Sequence, residues 1–328
     1  MNFPRISIIT PSLNQGKYLE HTILSILNQD YPNLEYIVID GGSTDNSLEI
    51  ILKYEGKLDY WVSEPDRGQA DAINKGLLKA TGEIINWINS DDLLEKKALA
   101  MVSKYFEKNP NLGFLHGKTI VFSRGKEKVI AGNPDTKPNK YLSGMSFPQP
   151  SAFFHRRVLD KIGLLDESLH YGMDYDFYVR IALNFPVLQV PDVLSRYRLH
   201  NESKTVHSKL KFAEEWLIVF NRVMRSILFP SNTLSAMKDL NLLNETDKVL
   251  YPVSNKYTDN QLEEYFLFFL YYQLHFRYEC YDFEQCRLLL KYLRKNYYKY
   301  YKEQRLETIT MRLKLGKTLI KTGRELFR

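Results

Sequence analysis

Cysteine is almost missing from this 328-residue chain; only Cys280 and Cys286 occur. Two thiols at that spacing make neither a disulfide framework nor a cysteine metal site, so a reducing cytosol fits best. The opening Met1-Asn2-Phe3-Pro4-Arg5 runs straight into a strand pattern and lacks the charged-then-apolar order of an export signal. No apolar run reaches spanning length; the most apolar stretch, 265–276, is short and contains Gln273 and His275. These absences lead to the expectation of a cytoplasmic protein that is not exported and does not cross a bilayer by itself. There is no internal repeat, and the only biased tract is the Tyr/Lys-rich 291–302.

What is present is ordinary for a globular chain: 44% hydrophobic and 26% charged residues, which excludes disorder over most of the length. At this length two structural units are expected. Aromatics reach 13%, mainly through 23 tyrosines concentrated in the last third, which hints at a different kind of surface there. The net charge of +6 is uneven, because residues 287–328 hold 13 Lys/Arg against 3 Asp/Glu. That tail is net +10 and the rest of the chain net −4, an asymmetry that points to an anionic partner for the tail.

The first half alternates apolar runs with helical patterns. Strands are expected at 6–10, 34–40, 58–62 and 83–88, followed by helices near 18–29, 45–54, 69–80 and 96–108. This alternation predicts right-handed crossovers and a largely parallel sheet, whose ligands bind beyond the carboxyl ends of the strands. Those ends read Thr10-Pro11-Ser12-Leu13-Asn14, Asp40-Gly41-Gly42-Ser43-Thr44-Asp45, Ser63-Glu64-Pro65-Asp66-Arg67 and Asn89-Ser90-Asp91-Asp92. All four are small, polar or acidic. Past Asp92 an antiparallel pair is expected at 113–122 and 126–131, with a turn at Ser123-Arg124-Gly125. Extended segments at 149–155, 187–190 and 193–199 and a helix at 173–184 follow, and the chain is helical after about 204.

The first, second and fourth of these clusters, in this order and spacing, resemble the inverting family-2 glycosyltransferases. The run Ser63-Glu64-Pro65-Asp66-Arg67-Gly68-Gln69-Ala70-Asp71-Ala72-Ile73-Asn74-Lys75-Gly76 is similar to one bacterial branch of that family. Gly163-Leu164-Leu165-Asp166-Glu167, Asp174-Tyr175-Asp176-Phe177-Tyr178-Val179-Arg180 and Arg196-Tyr197-Arg198-Leu199-His200 resemble its acceptor half. The resemblance implies an α/β, Rossmann-like A-type glycosyltransferase domain over 1–205 with a mostly parallel sheet, followed by an α-helical region over 206–328. It also implies a nucleoside-diphosphate sugar as donor, of UDP or dTDP type. A glycan or lipid-linked acceptor hydroxyl would receive the sugar, in cell-surface polysaccharide synthesis.

A departing nucleoside diphosphate gains negative charge, which a divalent cation on oxygen ligands stabilises. The family's Asp-x-Asp signature carries that metal. Here its first position is Asn89 and its second Asp91, so the resemblance assigns Mg2+ or Mn2+ to Asp91, with Asp92 in support. His200 is an added candidate ligand. The plain alternatives are a helix cap for Asp91 and Asp92 and a structural histidine for His200. Pro11, Ser12, Asn14, Asp40, Asp66, Arg67, Asn74, Asn89 and Asp92 are implied as donor-binding. Asp40 would accept the imide N–H of uracil or thymine, since a carboxylate only accepts and cytosine lacks that N–H. Where many relatives carry an Arg this chain has Ile73, leaving Arg67 and Lys75 as the local cations. For Asp71 a helix-dipole role weighs as much as a functional one. An inverting transfer needs a base for the acceptor hydroxyl. The stretch Met173-Asp174-Tyr175-Asp176 implies Asp174, with Asp176 as second candidate and helix capping as the alternative.

From Leu306 the tail sets Ile309, Leu313, Ile320 and Phe327 in helical register among interleaved Lys and Arg. It is expected to lie on an anionic membrane at the inner face of the cell membrane, or to pack on the body as an ordinary surface helix. Nucleic acid is not expected as a partner, because acidic strand ends repel phosphate. Two other classes fit the sequence less well. A sugar nucleotidyltransferase needs a Gly-rich loop and a Lys after the first strand, and Thr10 to Gly16 supplies neither; a non-catalytic nucleotide- or polyanion-binding module has no need of Asp91, Asp92 and Asp174.

Overall fold

The computed structural model describes residues 3–123, 125–130, 141–201, 203–204 and 208–315. The sequence readings that fall on Arg124, Ala131 and the tail beyond Leu315, including Ile320 and Phe327, lie outside the described residues, as does the expected boundary at 205. The chain divides into two compact units, Met1–Val206 with Leu250–Lys256, and His207–Val249 with Tyr257–Arg328.

The first unit carries a nine-stranded sheet. Its strands are β1 (Ile6–Ser12), β2 (Leu34–Asp40), β3 (Tyr60–Ser63), β4 (Ile84–Trp87), β5 (Leu93–Leu94), β6 (Phe114–Ser123), β7 (Lys126–Ile130), β8 (Ala152–His155) and β9 (Val187–Arg198). The helices are α1 (Gly16–Leu27), α2 (Ser47–Tyr54), α3 (Gln69–Lys79), α4 (Ala98–Lys108), α5 (Val158–Ile162) and α6 (Met173–Ala182). Strand order is β3-β2-β1-β4-β8-β6-β9-β5, with β7 paired to β6. β1 is buried throughout and β2 nearly so, which explains their mainly apolar runs; the buried Ser7 hydroxyl and Glu35 carboxylate that interrupt them bond each other. On α1, Tyr18, Leu19, Thr22, Ile23 and Ile26 recur at helical spacing and bury one face. Leu19 and Ile23 join Ile8, Val38, Leu99 and Val102 in the core.

The expected parallel order holds for β3, β2, β1 and β4. Beyond β4 the sheet is mixed: β8 runs antiparallel to both β4 and β6, and β9 is parallel to β6 but antiparallel to β5. After β4 a tight Asn89–Asp92 turn leads into β5 at the far edge of the sheet, and β8 enters between β4 and β6 with no α-helix between β7 and β8 among the described residues to make a parallel crossover. The two extended segments expected at 187–199 are one strand, and α5 and β5 are too short to have shown a period. Because β2 and β4 lie on opposite sides of β1, the winding reverses there. That places a crevice beyond Ser12 and Trp87.

Residues 250–256, which the sequence placed with the C-terminal region, return to the first unit. Ser254 N–H and Asn255 N–H donate to the Leu183 carbonyl, and Asn184 donates to Pro252 O. The second unit is helical, over Lys209–Ser226, Ser231–Asp239, Asp259–Glu279, Phe283–Asn296, Tyr298–Glu303 and Glu307–Lys314. Phe220 stacks on Phe269 at 3.8 Å, and Trp216 meets Tyr272 and Phe276 edge-on. Tyr265, Tyr278 and Tyr301 are buried, so part of the tyrosine excess packs helices rather than coating a surface. Among the described residues no helix is long and apolar enough to cross a membrane.

Candidate active site

The sheet registers align Ser12, Asp40 and Ser63 across the carboxyl edge. Asp40 is fully buried, and its Oδ2 accepts the Ser43 N–H at 2.9 Å, the Gly42 N–H at 3.2 Å and the Ser63 hydroxyl at 2.7 Å. Oδ1 accepts the Ser43 hydroxyl at 2.5 Å, which leaves it one further lone pair. Gly42 sits at φ +81°, a left-handed conformation that lets the loop fold back onto Asp40. Pro11 and Ser12 are buried at the end of β1. Among the described residues neither Ser12 Oγ nor Gln15 Oε1, both buried, finds a hydrogen-bond partner.

Several donor-site candidates turn out to hold the scaffold. Asn14, at φ +53°, accepts the Thr44 N–H at 2.8 Å, and its own N–H donates to Ser43 Oγ, so it ties two strand-end loops together. Asp66 accepts the Gly68 N–H at 2.8 Å and lies so close to Gly41 that a Cβ there would stand 2.4 Å from its carboxylate. Asn74 clamps the Leu165 backbone in both directions, each bond 3.0 Å. Arg67 is largely exposed and pairs with Asp71 at 2.8 Å and Glu167 at 2.6 Å. Asn14 and Asn74 thus position loops as well as standing at the expected donor side, through loop geometry that no local pattern reveals.

The turn after β4 gathers a different set. Thr22 Oγ1 faces the Ser90 and Asp92 carbonyls at 2.9 and 2.8 Å, fixing the turn against α1. Asp92 is fully buried and its Oδ1 accepts the Arg198 N–H at 3.0 Å. Burial and the neighbouring Asp91 push its carboxyl well above the ordinary range, against the opposing pull of the Arg198 and Asn89 hydrogen bonds. Asp91 points elsewhere: its Oδ2 lies 2.9 Å from His200 Nε2, across 109 positions of sequence. Arg198 Nε donates to Asp91 O at 3.0 Å, and its guanidinium lies over the rings of Tyr18 and Phe122. Tyr18 also contacts the His200 ring, at 4.7 Å between centroids. Asn89 Oδ1 accepts from Gln69 Nε2 at 2.7 Å, and Gln69 Oε1 accepts from Lys204 Nζ, which also reaches His170 O at 3.4 Å. This relay links the β4 turn to the loop before α6. Sequence reasoning missed Tyr18, Gln69, Arg198 and Lys204; Arg198 stood two residues from His200 in a run already noted.

At the N-terminus of α6 the two acceptor-side candidates separate. Asp174 is half-buried and its Oδ1 accepts the Tyr175 N–H at 2.8 Å. Asp176 is buried; Oδ2 pairs with Arg180 at 2.8 Å and Oδ1 accepts the Tyr251 hydroxyl. Arg180 is itself pinned by the Ile162 and Leu164 carbonyls. Asp176 thereby anchors α6 to Arg180 and Tyr251.

The profile of Glycosyl transferase family 2 matches residues 7–163. Over that segment the chain is similar to the family's members. An uncharacterized glycosyltransferase of Rickettsia typhi is 29% identical over 239 residues, 68% of this chain and 73% of the relative. One from Haemophilus influenzae is 41% identical over 120 residues, 36% of this chain and 48% of the relative. Among solved structures, S. aureus TarS 1–349 in complex with UDP-GlcNAc superimposes with a TM-score of 0.60 at 17% identity, covering 88% of this chain and 81% of that one. The mannosyltransferase PcManGT from Pyrobaculum calidifontis, in complex with GDP-Man and Mn2+, gives 0.58 at 19% identity, covering 97% and 82%. At these identities the likeness carries the fold, which is that of an A-type glycosyltransferase domain with a helical C-terminal region.

Family-2 chemistry raises the question of a metal, and the donor atoms can be tested for fit. Cis ligands of an octahedral ion bound at about 2.1 Å stand about 3 Å apart. Asp91 Oδ2 and His200 Nε2, at 2.9 Å, meet that spacing with one oxygen and one nitrogen donor. Among the described residues no group of three such side chains converges. An ion held here would take these two side chains from the described residues and rely on substrate phosphates for the rest.

Proposed function

We propose that the chain is an inverting transferase that moves a sugar from a UDP- or dTDP-sugar to a hydroxyl of a glycan or lipid-linked acceptor, in the synthesis of a cell-surface polysaccharide. The observation that carries this reading is the Asp91–His200 pair at 2.9 Å, held at the winding reversal by Arg198, Tyr18 and buried Asp92. Asp91 and His200 would hold Mg2+ or Mn2+, which supplies charge neutralisation on the departing diphosphate.

The chain's own residues divide the remaining work. Asp40 offers its remaining Oδ1 lone pair to a ring N–H of the base. This chemistry excludes cytosine and admits uracil, thymine and also guanine. A buried hydroxyl without a partner is unfavourable by about 1–3 kcal/mol, so a polar group of the nucleoside beside Ser12 would relieve it. Asp174 takes the proton of the acceptor hydroxyl as that oxygen attacks the anomeric carbon, and the sugar's configuration inverts. The net +10 of residues 287–328 supports action at the inner face of the cell membrane.

A panel of UDP-, dTDP- and GDP-sugars, scored for transfer or hydrolysis with and without EDTA, tests the reading. Turnover is expected with a uridine or thymidine donor and is lost with EDTA. Asp91→Ala should weaken UDP binding in calorimetry and make the residue of that binding indifferent to EDTA. Full activity of Asp91→Ala would overturn the assignment.

A further inference from the structure

In the second unit a cavity of about 640 Å³ opens between the helices Phe283–Asn296 and Glu307–Lys314. Arg287, Lys291, Arg294 and Lys295 recur at helical spacing along one face of the first helix and line it, and Lys314 joins them from the second. Among the described residues no acidic side chain lines the cavity, and none of these five cations forms an ion pair with one. Glu307, whose carboxyl feels the Arg294 charge, is paired with Lys302. All five are exposed to solvent, where like charges still repel one another weakly, so an anion among them is favoured. The floor is apolar: Leu290, Tyr301 and Leu313 are buried, and the Tyr301 hydroxyl is satisfied by Thr310 at 2.7 Å. On the outer side of the second helix Met311 and Leu315, neighbours of Lys314, are 65% and 58% exposed.

We propose that this cavity is a binding site for the phosphate headgroup of an anionic membrane lipid. The five cations take the phosphate, the apolar floor takes the first methylenes, and Met311 and Leu315 meet the acyl boundary. A soluble anion has no use for the floor or for exposed Met311 and Leu315, and a nucleic acid has no use for the recess. The chain's own segment 316–328 carries four basic residues against one acidic, the wrong charge for the cavity. The proposal stands on the second unit alone and is independent of the transfer reading.

The test uses the full chain and three measurements. Sedimentation with phosphatidylcholine vesicles, with and without phosphatidylglycerol, is compared for the wild type, for Lys291→Ala/Arg294→Ala/Lys295→Ala, and for the control Lys57→Ala/Lys96→Ala/Lys104→Ala. Each cation near an anionic surface contributes about 1 kcal/mol, so the cavity variant should partition on the order of 100-fold more weakly and the control as the wild type does. Calorimetry then compares short-chain phosphatidylglycerol with inorganic phosphate; burial of two methylenes predicts about a 10-fold advantage for the lipid. Single-stranded RNA is the third probe. Equal partitioning of cavity variant and wild type overturns the proposal, as does phosphate binding as tightly as the lipid, or RNA binding where lipid does not. Sugar-nucleotide hydrolysis, read on the same samples, should be unchanged in the cavity variant, so failure of the catalytic reading registers separately.

Discussion

Replacing Asp174 and, separately, Asp176 by Asn should produce opposite failures. Asp176 is buried against Arg180, whose side chain is only 7% exposed, and it also accepts the Tyr251 hydroxyl. Asp176→Asn keeps the shape but leaves a guanidinium buried without its counter-charge. Breaking a buried pair from one side destabilises by about 3–5 kcal/mol. The carbonyls of Ile162 and Leu164 still satisfy part of Arg180, which argues for the lower figure. In a domain of about 200 residues each kcal/mol moves the melting temperature by about 2–4 °C, so a fall of about 6–12 °C is expected. Whatever stays folded at low temperature should keep most of its turnover. Asp174 is half-buried, and its charge at the α6 N-terminus is worth at most about 1 kcal/mol. Asp174→Asn should melt within a few degrees of wild type yet lose about 10²–10⁴-fold in kcat, with donor binding intact. Thermal scans and initial rates on both variants decide it. Normal melting with lost turnover in Asp176→Asn, alongside normal turnover in Asp174→Asn, would refute the reasoning and move the base by two residues.

Two further outcomes follow from the scaffold. Asn74→Ala strands the Leu165 N–H and carbonyl, so urea unfolding should show a loss of about 2–6 kcal/mol, at 1–3 kcal/mol per unpaired group. Burial raises the Glu35 carboxyl, but hydrogen bonds from Ser7 and Thr81 and the Arg5 charge outweigh it and hold the group below its ordinary value. Its stabilisation is therefore present above the ordinary glutamate range and is lost as pH falls through the lowered folded value; Glu35→Gln should flatten that acid limb in a pH series of melting temperatures.

The part of the site that sequence made legible is the part the backbone dictates. Buried parallel strands need mainly apolar runs, so Ile6–Ser12 and Leu34–Asp40 could be placed within a residue or two, and the winding rule then pointed to their carboxyl ends. The sheet beyond β4 followed no such rule. β5 and β8 have two and four residues, too few for a period, and their direction depends on which neighbour has an open edge. What was illegible in the site is the assignment of individual polar side chains. Asn14, Asn74 and Asp176 carry the same groups as ligand contacts do, and their sequence neighbourhoods do not say whether a backbone amide or a guanidinium will reach them first.

The Asp91–His200 pairing shows why that information is non-local. β5 pairs with β9 through Leu93–Arg196 and Leu94–Ser195, and this short ladder carries Arg198 and His200 back over the β4 turn. Asp91 and Asp92 are adjacent in sequence, yet the ladder sends one to the Arg198 backbone, in a fully buried position, and the other to an imidazole at a half-buried edge. In a dry site two adjacent carboxylates resist ionising together. Burying Asp92 raises its pKa, with the Asp91 charge adding to the rise. The pair is thereby divided into one structural carboxyl and one exposed enough to meet a cation, a division that arises from the strand pairing and is absent from the motif Asn89-Ser90-Asp91-Asp92 itself.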